Sequence, residues 1–88
     1  MDSYELEKIV KGVANHRRID VMRLLRASPG LSVEEIAQQL RVEYKTLATH
    51  LFKLSSSGLV TKQNYGRRVE HTLTDRGTSM LKYLNGIS

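Results

Sequence analysis

Apolar residues recur at helical spacing from the start of the chain. Leu6, Ile9, Val10 and Val13 share one side of a helical wheel, with Glu5, Glu7, Lys8 and Lys11 opposite; the pattern predicts an amphipathic first helix over about residues 3 to 14. Asn15 is placed to cap a second helix whose stripe is Ile19, Met22 and Leu25, with Val21 and Leu24 beside it, since a short amide oxygen can accept from free first-turn N–H groups. Ser28-Pro29-Gly30 ends that helix, because proline cannot continue it. Ser32-Val33-Glu34-Glu35 then reads as a capping box, with a serine at the N-cap and a glutamate three residues on. The short helix it opens buries Val33, Ile36, Ala37 and Leu40. A tight polar turn leads to a fourth helix over about residues 44 to 57, with Leu47, Leu51 and Leu54 inward. Gly58 follows as its C′ residue.

The period then changes from helical to alternating. Leu59 to Gln63 and Arg68 to Leu73 read as two strands, joined through Asn64-Tyr65-Gly66-Arg67 with the glycine at the hairpin tip. Thr74 or Asp75 caps a last helix carrying Met80, Leu81 and Leu84, with Ile87 near its end. Two short helices joined tightly and followed at once by a hairpin form a winged helix-turn-helix. The expected fold class is therefore α+β, mainly α: a winged helix-turn-helix with a two-stranded β-hairpin wing and a C-terminal helix, all in one domain spanning residues 1–88.

Charge sharpens this picture. The chain carries a net charge of +5, and the stretch from Arg41 to Arg68 alone accounts for it, with Arg41, Lys45, Lys53, Lys62, Arg67 and Arg68 against the single acid Glu43. A positive field confined to one contiguous third of the chain points to a polyanionic partner. The chain has no cysteine, which removes disulfides, thiolate metal sites and cysteine nucleophiles together. His16, His50 and His71 fall on three separate elements without ligand spacing, so no metal and no other cofactor is expected. No signal peptide or membrane span is legible, so the expected address is cytoplasmic, with no membrane partner.

In a helix-turn-helix the second helix enters the major groove and reads base edges from its N-terminal half. With the leucines of the fourth helix inward, Lys45, Thr49 and Ser56 point furthest out, flanked by Phe52 and Lys53, with Tyr44, Ala48 and His50 at the margins. The candidate contacts to double-stranded DNA are thus Tyr44, Lys45, Thr46, Ala48, Thr49, His50 and Lys53 on the recognition helix. Arg67 and Arg68 join them on a wing of residues 64–68, set against backbone or minor groove. A histidine at such a margin more often packs than reads bases, and paired arginines can also serve to keep a hairpin edge solvated.

With these residues in view, the chain resembles the ArsR-type winged-helix regulators over nearly its whole length. Ala14 to Met22 is similar to the family's opening stretch, Val33 to Leu40 to its first helix-turn-helix element, and Gly66-Arg67-Arg68-Val69 to its wing. Thr49-His50-Leu51-Phe52-Lys53-Leu54, running into Gly58-Leu59-Val60, resembles its most recognisable signature, whereas Leu73 to Gly77 looks like a MarR-type ending. Where many members have serine this chain has Glu43 and Ala48, which removes two hydroxyls from the expected contacts. The resemblance implies a transcriptional regulator that is a symmetric dimer built from the first and last helices, with DNA contacts from Tyr44, Lys45, Ala48 and Thr49. The expected homodimer interface comprises Leu6, Ile9, Val10 and Val13 of the first helix with Met80, Leu81, Leu84 and Ile87 of the last.

Other functions leave fewer traces. No Gly-rich phosphate loop, paired carboxylates or nucleophile with a base suggests an enzyme. A winged helix can also be a protein-interaction module without DNA binding, but the concentrated positive charge argues against that. RNA binding would find few stacking platforms, with one Phe and no Trp.

Overall fold

The computed structural model describes residues 1–86. The elements run α1 (Ser3–Val13), α2 (His16–Ala27), α3 (Val33–Leu40), α4 (Tyr44–Ser56), β1 (Val60–Tyr65), β2 (Arg68–Leu73) and α5 (Asp75–Gly86), the winged helix-turn-helix order that the pattern predicts. Local chemistry sets most of the boundaries. The Asp2 carboxylate accepts from the Glu5 N–H at 2.8 Å and opens α1, and Asn15 Oδ1 accepts from the Arg17 N–H at 2.9 Å to open α2. The capping box of α3 is complete: Ser32 Oγ accepts from the Glu35 N–H, and Glu35 accepts back from the Ser32 N–H. Thr74, not Asp75, caps α5, where one hydroxyl accepts from the Gly77 N–H at 3.0 Å and donates to the Gly58 carbonyl at 2.6 Å.

The hairpin boundary differs from the sequence expectation. The strands pair antiparallel from Val60↔Leu73 to Tyr65↔Arg68, so Asn64 and Tyr65 belong to β1 and the turn shrinks to Gly66-Arg67. Gly66 has φ of +63° and Arg67 is not in the left-handed region. A glycine at the first position of a two-residue hairpin turn suits the right-handed twist of the strands. The helix-turn-helix junction also departs from the usual use of glycine: Arg41 caps α3 at φ +55°, a left-handed conformation that costs a residue with a Cβ more than it costs glycine.

The core lies where α2, α3, α4 and α5 meet the base of the hairpin. Val21, Met22, Leu25, Ile36, Leu47, Leu54, Leu59 and Leu81 are essentially inaccessible there, and burial of such side chains supplies most of the favourable free energy, about 1.5–3 kcal/mol each. Leu31 forms a one-residue bridge to His71 and so clips a third short edge onto the wing. Its carbonyl accepts both the His71 backbone N–H at 2.9 Å and the buried His71 ring Nδ1 at 3.0 Å. A carbonyl only accepts, so Nδ1 carries the ring proton.

At the start of α5 the backbone passes so close to the residue before β1 that a Cβ on Gly77 would run into the Leu59 carbonyl. A flexible side chain could yield; a backbone carbonyl that already accepts the Thr74 N–H cannot. Gly77→Ala is therefore expected to destabilise the domain by about 1–3 kcal/mol, the usual cost of overpacking, read as a lower urea midpoint at unchanged slope. An unchanged midpoint would contradict this close approach.

Candidate nucleic-acid interface

Helix α4 turns its Leu47, Leu51 and Leu54 stripe into the core and leaves Tyr44, Lys45, Thr46, Thr49, Phe52 and Lys53 exposed. Its start is bare of side-chain capping: Glu43 occupies the N-cap without a hydrogen bond from its carboxylate. Free first-turn N–H groups beside an exposed lysine and phenol are able to meet an acceptor from outside the chain. The Thr49 hydroxyl is already engaged, donating to the Lys45 carbonyl at 3.1 Å. What it can offer a partner is its methyl group and a lone pair. Ala48 is half-buried and lines a cleft with Phe52, Ser55, Lys62 and His71.

The wing stands across from the start of α4. An open cleft of about 540 Å³ separates them, with Tyr44 on the α4 side, Lys62, Arg67 and Val69 on the wing, and Ser32 to Glu34 at its end. Arg67 occupies the turn and is exposed. Lys62 was absent from the expected contacts, yet strand alternation carries the signal. Counting by two from buried Val60 puts Lys62 on the same face as His71, its register partner, looking toward α4.

Two of the expected contact residues already have partners within the protomer. Arg68 does not project from the tip. Its guanidinium turns back along the hairpin, donating from Nε to Glu70 at 2.9 Å and from Nη2 to both Glu35 and the Gly30 carbonyl, at 2.6 and 3.0 Å. Two carboxylates neutralise it, so it braces the wing against α3. The Ser32 backbone N–H, and after it Arg68, hold the Glu35 carboxyl below its ordinary range. His50 is not on the outer face either: it is 8% exposed, with Nδ1 accepting from Arg18 Nε at 3.2 Å. The helical turn carries it past the solvent margin and under α2.

A second exposed surface is apolar. Between α1 and α5 lies a groove of about 490 Å³, lined among others by Leu6, Val10, Met80, Tyr83 and Leu84. Leu6 and Val10 are 51% and 57% exposed, and Met80 and Leu84 are half-buried. The other expected interface residues divide differently. Leu81 is fully buried within its own protomer, and Ile9 and Val13 reach only the floor of the groove at 7% and 8% exposure, so all three serve the core first. Ile87 lies outside the described residues.

Residues 15–62 match the bacterial regulatory protein family arsR. More than half of the chain is covered by that match, including α2, α3, α4 and the start of β1. The chain belongs to the arsR family. The family is one of bacterial regulatory proteins. Among its relatives, the putative arsenical resistance operon repressor ArsR of Halobacterium salinarum is 32% identical over 79 residues, which cover 89% of this chain and 61% of that protein. The HTH-type transcriptional repressor Mb2911 of Mycobacterium bovis is 38% identical over 64 residues, covering 69% of this chain and 46% of the relative. This arsR-family chain thus spans roughly half to three-fifths of those relatives' lengths.

Solved structures superpose over nearly all of it. HlyU from Vibrio cholerae aligns at a TM-score of 0.81 with 28% identity, covering 97% of this chain and 92% of that one. A Mycobacterium bovis fragment, described as the homodimeric winged helix-turn-helix DNA-binding domain Mb0332 of a possible ArsR-family transcriptional regulator, aligns at 0.80 with 28% identity, covering 94% and 76%. The multiple antibiotic-resistance repressor MarR of Listeria monocytogenes aligns at 0.73 with 22% identity, covering 90% and 55%, a likeness of fold alone. Among the described residues of this arsR-family chain no three His, Asp or Glu side chains converge as a metal cluster would require, and no helix is long and apolar enough to cross a membrane.

Proposed function

We propose that this arsR-family protein binds double-stranded DNA sequence-specifically as a homodimer and thereby regulates transcription. The observation that carries the reading is the basic cleft between α4 and the wing, where Lys62 and Arg67 face Tyr44 beside exposed Lys45 and Thr49. In this reading α4 enters the major groove, with Lys45 on a guanine edge or phosphate and the Thr49 methyl on a thymine. Tyr44, Thr46, Lys53, Lys62 and Arg67 position the helix on the backbone, and Arg67 suits a narrow minor groove. The α1–α5 groove supports the dimer: Leu6 and Val10 form a patch that a monomer rarely leaves bare, and a second copy covers it in an isologous interface. The Mycobacterium relative described as homodimeric favours the same assembly.

Enrichment of bound duplexes from a random-sequence pool, followed by sequencing, tests the reading. A reproducible motif with two similar halves is the expected result; an unenriched pool would leave the protein-interaction reading in its place. The wing arginines then separate by role. Arg67→Ala should lower the log–log salt slope of binding by about 0.9 per protomer, the signature of one lost phosphate contact. Arg68→Ala should leave that slope unchanged and instead loosen the wing, seen as faster amide exchange at Glu70 and His71. Equal loss of slope in both would contradict the inward bracing of Arg68.

A further inference from the structure

Arg18 touches three helices at once. It stands on α2, and its Nη1 donates to the carbonyls of Lys11 at 2.8 Å and Gly12 at 3.4 Å. These carbonyls belong to the last turn of α1, which has no helical partner for them and attracts a cation. Its Nε donates to His50 Nδ1 at 3.2 Å, in the middle of α4. A guanidinium has only hydrogens to offer. The ring must therefore present a lone pair at Nδ1, which requires neutral imidazole protonated at Nε2.

We propose that Arg18 is the positioning residue that sets the recognition helix against the end of α1, and that this tie holds only while His50 is neutral. The proposal rests on the DNA-binding reading for its functional consequence, but the tie itself can be observed without DNA. Protonation would put a hydrogen on Nδ1 and a second cation beside the guanidinium, so the pair must part. Helix α1 contributes Leu6 and Val10 to the α1–α5 groove that the proposed dimer buries, and α4 carries Lys45 and Thr49. Releasing Arg18 from His50 thus loosens the reading surface from the element that fixes its spacing to the mate.

The surroundings oppose protonation. Burial first, then Arg18, Arg17 and His16 of α2, hold the His50 imidazole below its ordinary value. On α1, Lys11 is paired with Glu7 at 2.7 Å and Lys8 adds a further cation beside Arg18 in the same cleft, as does Lys53 from α4. No carboxylate among the described residues forms an ion pair with His50. With the folded value depressed, the unfolded chain binds more protons. The contribution of neutral His50 is then complete above the unfolded value and is lost as pH falls through the folded one. The unmodified protein therefore needs a comparison that changes His50 alone.

His50→Asn supplies it, because asparagine Oδ1 can accept from Arg18 Nε in the place of Nδ1 and does not titrate. Affinity for the selected duplex is measured from about pH 7.5 down to about 4.5, alongside circular dichroism to confirm that both proteins stay folded. Below the free-state His50 value the unmodified dimer should lose affinity more steeply than His50→Asn, by up to a factor of about ten per pH unit for each protomer. Parallel profiles would overturn the proposal. Should His50→Asn fail to fold, the unmodified protein gives the second reading by NMR, with and without duplex. The Arg18 Nε–H signal should broaden into solvent exchange with the same midpoint as His50 protonation, and duplex should move that midpoint to lower pH. An Arg18 signal indifferent to His50 titration overturns the tie. An intact tie with no duplex preference at any pH would instead overturn the DNA-binding reading alone.

Discussion

Val10→Glu is expected to convert the proposed dimer into a monomer and to lower affinity for a two-half-site duplex by roughly 10²–10⁴-fold, the factor supplied by linking two binding events. The protomer itself should survive the change. Val10 is 57% exposed on α1, so its replacement removes little from the core, whereas in the assembly it would force an unpaired carboxylate into an apolar seam. Ile9→Glu, one residue earlier, is the contrasting case: at 7% exposure it should unfold the domain outright. Sedimentation gives the assembly state, circular dichroism the helix content, and anisotropy the affinity. A Val10→Glu protein that stays dimeric, or a monomer that keeps full affinity for the paired site, would remove the α1–α5 groove from the account.

The difference between those two neighbours marks how far the sequence could be read. The stripe Leu6, Ile9, Val10 and Val13 predicted α1 and its apolar side correctly. It could not divide that side between core and groove, because the stripe is wider than one packing surface and only the positions of α2 and α4 decide which half is covered. The same limit applied to Arg68. Its place beside Arg67 suggested two free cations, yet a strand's period of two sets Arg68 and Glu70 on one face, and the bend of the chain through Gly30 brings Glu35 to them. His50 was ambiguous for a related reason: a helical wheel places it at a margin, and whether a margin is dry depends on the neighbouring helix. Caps and turns were legible because their chemistry is local. The Ser32–Glu35 box, Asn15 and Gly58 stand where short-range hydrogen bonding and backbone freedom require them.

Lys45→Ala is the second change with a large expected effect. If the ammonium holds a base edge, its loss should cost about 1–3 kcal/mol per half-site, or roughly 5- to 150-fold, and should relax preference at one or two base pairs. A loss spread evenly over all sequences would make Lys45 a phosphate contact and move base readout to Tyr44 and Thr49. Thr49→Val separates the remaining possibilities on that face. The native hydroxyl proton is spent on the Lys45 carbonyl, so a contact made through the methyl should survive the substitution with preference intact. Enrichment from a base-randomised half-site measures both variants in one experiment.

The central claim is that two α4 helices of one dimer read adjacent turns of the same duplex. Hydroxyl-radical footprinting of the unmodified protein on its selected duplex, together with the binding stoichiometry, tests it most directly. The account predicts two protected half-sites about 10–10.5 base pairs apart, near 34–36 Å centre to centre, with two chains bound per duplex and flanking protection from the wings. One protected half-site occupied by a single chain at full affinity would contradict it.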